Sequence, residues 1–201
     1  MNESEESEER IKIMTLGNSE VGKTSFIMRY TEDSFSEIYL ATIGIDFKVK
    51  NIIINDKIYK LFFYDTTGQE KYKSISFNII KNAQGIIIMY DITNKKSFES
   101  LKEWINNVKE LKGKNFPMIL LGNKIDKENE RIISTEYGQD LANEYKIDFF
   151  ETSSKTCINI QESITILINK ILERREKEND LSNETKSTKL KSKKTKKRKC
   201  C

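Results

Sequence analysis

The chain has 201 residues, enough for one domain with modest tails, and 37% of them are hydrophobic. It contains no histidine, which excludes His-based catalysis and His metal ligation, and its three cysteines cannot build a disulfide framework. The net charge of +4 hides a division: residues 1–9 hold five glutamates and no base, residues 186–199 hold nine Lys or Arg and no acid, and the body between is balanced at 26 of each, which argues against broad nucleic-acid binding.

The acidic start is expected to be disordered and has no apolar core of the kind a secretory signal needs. Ile11–Leu16 then alternates apolar and polar residues, as a half-buried strand does. Directly after it, Gly17-Asn18-Ser19-Glu20-Val21-Gly22-Lys23-Thr24 matches G-x-x-x-x-G-K-[ST], the phosphate-loop pattern. Phe26, Ile27 and Tyr30 follow at helical spacing and predict a helix to about Glu32. Glycines let such a loop close around phosphate oxygens, and the helix start turns unpaired N–H groups toward an anion. Lys23 can reach the outer phosphates and the Thr24 hydroxyl can ligate Mg²⁺.

Asp33–Ala41 is an irregular polar stretch. Ile43–Ile54 and Ile58–Tyr64 predict two strands that turn at Asn55-Asp56, an antiparallel hairpin at a sheet edge. Lys71–Asn82 predicts an irregular helix, and Gly85–Tyr90 a strand buried on both faces; its apolar run is too short to span a bilayer. Ser97–Leu111 predicts one amphipathic helix in which Trp104 packs into the core. Phe116–Leu121 is a further buried strand, Ser134 can cap a helix to about Tyr145, and Ile147–Phe150 is a short strand. A last helix runs from Ile158 to about Arg175, and beyond it the chain turns polar and then basic. This alternation predicts an α/β fold with a six-stranded, mainly parallel sheet, one antiparallel edge strand and helices on both faces. Gly17–Thr24, Asp65–Gln69, Asn123–Asp126 and Ser153–Lys155 each follow a predicted strand. Ligands of a parallel sheet sit at the carboxyl ends of its strands, so the four stretches converge on one edge.

In this order, GNSEVGKT, Thr42, DTTGQ, NKID and ETSSK resemble a Ras-type small GTPase over roughly residues 10–175. Ile43-Gly44-Ile45-Asp46-Phe47, Met89-Tyr90-Asp91-Ile92-Thr93 and the Cys-Cys end resemble the Rab branch. The resemblance implies a P-loop NTPase G domain at 10–175, an acidic N-terminus at 1–9 and a flexible polybasic tail at 176–201. It implies a GTP/GDP switch that slowly hydrolyses GTP and recruits effectors in vesicle and membrane trafficking.

Residue by residue, Gly17 to Thr24 and Ser25 would hold the phosphates, with Thr24, Thr42 and Asp65 around Mg²⁺ and Gly68 against the γ-phosphate. Gln69 would orient the attacking water. Asp126 would accept two hydrogen bonds from the guanine edge, a donor pair that adenine lacks. Asn123 would hold loop and base, Lys124 and Phe35 would cover the ring, and Ser154 would offer its backbone N–H, ordered by Ser153 and Lys155. Two departures stand at the phosphates: Thr67 where the family has alanine, and Glu20 within the loop, expected to face solvent. They carry the alternative of a hydrolysis-impaired recruitment module of the same fold. Tyr64 and Ile79–Ala83 depart from the Rab effector face.

Cys200 and Cys201, after a basic spacer, resemble the double-geranylgeranyl acceptor of Rab proteins, and two lipids plus a polybasic patch give stable anchoring. The implied partners are an exchange factor, a GTPase-activating protein, effectors at loops 36–47 and 66–80, a prenyltransferase with escort protein, and a GDP-dissociation inhibitor. The expected state is a monomer on the cytoplasmic face of intracellular membranes, cycling with cytosol and binding no nucleic acid.

Overall fold

The computed structural model describes residues 9–38, 42, 45–66 and 80–196. Six strands form one sheet: β1 (Glu9–Leu16), β2 (Ile45–Ile54), β3 (Lys57–Thr66), β4 (Gly85–Asp91), β5 (Met118–Asn123) and β6 (Asp148–Thr152), in the order β2-β3-β1-β4-β5-β6. All neighbours run parallel except β2 with β3. Between those two strands Asn55 and Asp56 both have positive φ, the backbone that a two-residue hairpin turn requires and that Asn and Asp tolerate. The predicted hairpin at the sheet edge is therefore present.

Helices cover both faces. On one, α1 (Lys23–Glu32) and α5 (Ile160–Lys196) bury Phe26, Ile27, Ile164 and Leu167 against Ile11, Ile13 and Leu121. On the other, α3 (Leu101–Lys112) and α4 (Thr135–Tyr145) bury Leu101, Ile105, Val108 and Leu141 against Met14, Ile86, Ile88 and Leu120. Each apolar side chain moved from water in this way contributes about 1.5–3 kcal/mol before the entropy of ordering is charged. β4 and β5 are buried along their whole length, as their unbroken apolar runs require.

Two helices differ from the sequence expectation. The amphipathic stretch near Trp104 is two helices, α2 (Lys95–Glu99) and α3. The Asn94 side chain accepts from the Ser97 N–H and starts α2 early, and Ser100 Oγ donates back to the Lys96 carbonyl at the junction. α5 continues past Arg175 to Lys196: the apolar stripe ends, but Glu, Lys and Leu are good helix formers and neither Gly nor Pro interrupts the run. Of the helix expected at Lys71–Asn82, residues 80–82 are helical and the rest lies outside the described residues.

Candidate functional site

The phosphate-loop sequence joins the end of β1 to the start of α1, and its two glycines are needed where they stand. Gly17 has φ 139°, and a Cβ there would lie 2.2 Å from the Met89 carbonyl oxygen; at Gly22, φ 95°, a Cβ would lie 2.4 Å from Asn123 Nδ2. The loop is thus pressed onto the ends of β4 and β5. Asn123 fastens it there, donating from Nδ2 to the Val21 carbonyl at 2.9 Å while Oδ1 accepts from Thr152 Oγ1 at 3.1 Å. Glu20 is exposed with φ 66°, the solvent-facing position expected of it.

Lys23 is only 5% exposed, and its ammonium donates to the carbonyls of Gly17 at 2.9 Å and Asn18 at 2.7 Å. Burial lowers its pKa to about 8, against the attraction of Asp65. Thr24 Oγ1 donates to Asp65 Oδ2, and Thr42 Oγ1 lies 3.0 Å from Thr24 Oγ1 and 3.2 Å from the same carboxylate oxygen. Asp65 is 4% exposed, burial pushes its carboxyl above the usual range, and its Oδ1 has no hydrogen-bond partner. One carboxylate with an unused buried oxygen, beside two hydroxyls, is a hard-oxygen set that fits Mg²⁺, which takes one or two carboxylates and fills its remaining positions with water and phosphate.

At the other end, Lys124 opens a 3₁₀ turn (Ile125–Glu130) with φ 72° and pairs with Asp91 at 2.7 Å. Asp126 Oδ1 accepts from Ser153 Oγ at 2.6 Å, and Ser153 Oγ itself accepts from the Thr156 N–H at 3.1 Å. Ser154 is buried, with its carbonyl accepting from Arg29 Nε at 2.8 Å. Lys155 pairs with Glu37 at 2.6 Å across the mouth; the hydrogen bond from Lys155 holds the Glu37 carboxyl below its usual range. Phe35 lies beside Arg29, ring centre to guanidinium carbon 6.0 Å.

A single cavity of about 580 Å³ joins these two ends; Lys23, Thr24 and Thr42 line one side, Phe35, Asp126 and Ser154 the other. Such a volume suits a small organic ligand. Ser19, Glu20, Gly22, Ser25, Lys124 and Lys155 reach it as well, whereas Gly17, Val21, Asp65 and Ser153 are buried beside it. Asn18 points elsewhere, toward Ser100 and Trp104. Thr67, Gly68, Gln69, Cys200 and Cys201 lie outside the described residues.

Three contributors escaped the sequence reading. Arg29 on α1 holds the Ser154 loop from 125 positions away. Thr152 orients Asn123. Arg131 pairs with Glu128 and, at 2.6 Å, with Glu151, tying the end of the 3₁₀ turn to the end of β6. Thr152 stands inside the ETSSK stretch but its role does not show there, and nothing local marks the other two, because each role is defined by a partner remote in sequence or by a charge typical of a solvated turn.

A phosphate loop at the carboxyl edge of this sheet, followed by a buried Lys-Thr-Asp cluster, defines a P-loop nucleotide-binding domain. A model of the Ras family matches residues 12–173. The chain is similar to Ras-related protein Rab-3C of Bos taurus, 45% identical over 163 residues that cover 81% of this chain and 72% of that protein. It is also similar to Ras-related protein Rab-3C of Mus musculus, 43% over 184 residues covering 90% and 81%, and to Ras-related protein Rab-3 of Caenorhabditis elegans, 45% over 150 residues covering 75% and 68%. The chain belongs to the Ras family, as a Rab-like small GTPase, a GTP hydrolase of vesicle trafficking. This likeness does not favour the hydrolysis-impaired alternative. Ras-family GTPases bind GTP or GDP with Mg²⁺, and Rab relatives work with exchange factors, activating proteins, effectors and a GDP-dissociation inhibitor at membranes. Among the described residues no helix is long and apolar enough to cross a membrane.

Proposed function

We propose that this cavity holds GTP or GDP with the phosphates at Gly17–Ser25 and the base between Phe35, Lys124 and the Ser153–Lys155 loop. The observation that carries the reading is the cavity's continuity: a carboxylate fixed for a base edge and a buried ammonium sit at opposite ends of one space. Asp126 accepts from the guanine edge, and Ser153 keeps it in place. The Ser154 backbone N–H meets the guanine oxygen, and Asn123 holds the loop against β5. Lys23 leaves its two carbonyls for the outer phosphates.

Thr24, Thr42 and Asp65 would hold Mg²⁺, which when bound neutralises phosphate charge during transfer. Thr42 and Gly68 catch the γ-phosphate, and both let go when it leaves, loosening loops 36–47 and 66–80 and changing what effectors can grip. Gln69 orients the water. Among the described residues no arginine lines the cavity, and fast turnover would draw on one supplied by an activating protein. A prenyltransferase with its escort protein would modify Cys200 and Cys201, and the lipids with the basic tail would hold the protein on the cytoplasmic face of intracellular membranes between cytosolic phases. A single-turnover GTP assay with and without an activating protein tests this reading: slow intrinsic turnover that the partner accelerates supports it, and a chain that retains no GTP overturns it.

A further inference from the structure

Asn18 is a phosphate-loop residue whose side chain turns away from the cavity to reach another element. Its Nδ2 donates to Ser100 Oγ at 3.1 Å, and its Oδ1 accepts from the Trp104 indole N–H at 3.3 Å. Both partners stand more than eighty positions away, at the junction of α2 and α3. Neither is loose: Ser100 Oγ donates onward to the Lys96 carbonyl at 2.9 Å, and the Trp104 ring packs on the core cluster beneath α3. The main chain of the same Asn18 faces the chemistry, since its carbonyl is one of the two that hold the Lys23 ammonium. A half-buried indole N–H needs an acceptor, and an amide gripped at both ends has one orientation.

We propose that Ser100 and Trp104 form a clamp on Asn18 that fixes the outer strand of the phosphate loop, making Trp104 a positioning residue for the nucleotide although it lines no part of the cavity. This rests on the assignment of Gly17–Thr24 to the phosphates. A loop held in its binding geometry before the ligand arrives loses less freedom on binding, and loosening it shows chiefly in the dissociation rate. The junction of α2 and α3 thereby sets how long the nucleotide stays. Trp104 is the only tryptophan of the chain, so all tryptophan emission arises at the clamp.

The test is release of mant-GDP, a fluorescent GDP analogue, from the full chain in Mg²⁺ buffer, for wild type, W104F, N18A and the double variant. W104F keeps an aromatic ring at the core and removes the donor, and it is expected to release about fivefold faster, the worth of one hydrogen bond. The double variant is expected to release no faster than N18A, because both substitutions remove the same bond. Should N18A fail to retain nucleotide, S100A takes its place in a cycle with W104F, and the two effects are then expected to be non-additive through the shared amide. Trp104 emission is expected to differ between wild type and N18A, and in wild type to stay in place when EDTA strips the nucleotide, because the clamp is formed before the ligand arrives. Unchanged release in W104F, or independent multiplicative effects of the kind separate packing defects give, would overturn the clamp alone. A wild type that takes up no mant-GDP would overturn the loop assignment and the clamp with it.

Discussion

The two ends of the cavity are built on opposite principles. At the base end most polar groups are already partnered within the protein, the buried Ser154 hydroxyl excepted: Ser153 on Asp126, Thr152 on Asn123, Asp91 on Lys124, Arg29 on the Ser154 carbonyl. At the phosphate end a buried ammonium is made acidic by its surroundings, and a buried carboxylate keeps one oxygen unpartnered. The difference teaches what each end does. An end whose groups are held in place by their neighbours discriminates, because a wrong base cannot match their fixed directions; an end with a buried charge left to complete supplies affinity, because the ligand's charges complete it.

Substitutions at the two ends should therefore fail differently. Lys23→Met is expected to weaken every nucleoside diphosphate alike, by about a thousandfold, as removal of one partner of a buried charge pair does. Asp126→Ala is expected to cost GDP about a hundredfold while leaving ADP unchanged, so that selectivity falls by the same factor. Equal losses for both nucleotides in both variants would erase the contrast. The phosphate end also carries a pH signature. In the empty protein Lys23 loses its proton near pH 8, whereas phosphates favour the charged form. Affinity should stay level below pH 8 and fall above it by up to about tenfold per pH unit, and Lys23→Met should lose this slope. The empty fold shows the converse: a lysine held below its ordinary value destabilises it while charged, so Lys23 makes the empty protein more stable as pH rises from 8 toward that ordinary value. Ser153→Ala, which frees Asp126 without removing it, is expected to cost GDP only about fivefold. Thr67→Ala is expected to raise intrinsic GTP turnover slightly, checked by single-turnover hydrolysis.

How far the sequence reveals this contrast follows the same division. Motifs whose chemistry is local, such as Gly17–Thr24, Asn123–Asp126 and Ser153–Lys155, were legible because each packs its polar atoms into a few residues after an apolar strand. The convergence of those stretches followed from the parallel order of the sheet. Thr42 was marked by family resemblance alone, in a polar stretch without periodicity, yet its hydroxyl lies 3.0 Å from that of Thr24. Arg29, Thr152 and Arg131 were invisible because a supporting residue is defined by a partner that only folding brings near. The break at Ser100 was hidden by an apolar stripe that continues through it, and it is this break that sets Ser100 and Trp104 against the phosphate loop.

The most direct test of the two-ended site is calorimetric titration of the nucleotide-free full chain with GDP and with ADP, each in Mg²⁺ and in EDTA. The structure predicts that GDP binds at least about 10⁴-fold more tightly than ADP and that EDTA weakens GDP binding. Comparable affinity for ADP, or GDP binding indifferent to EDTA, would contradict it.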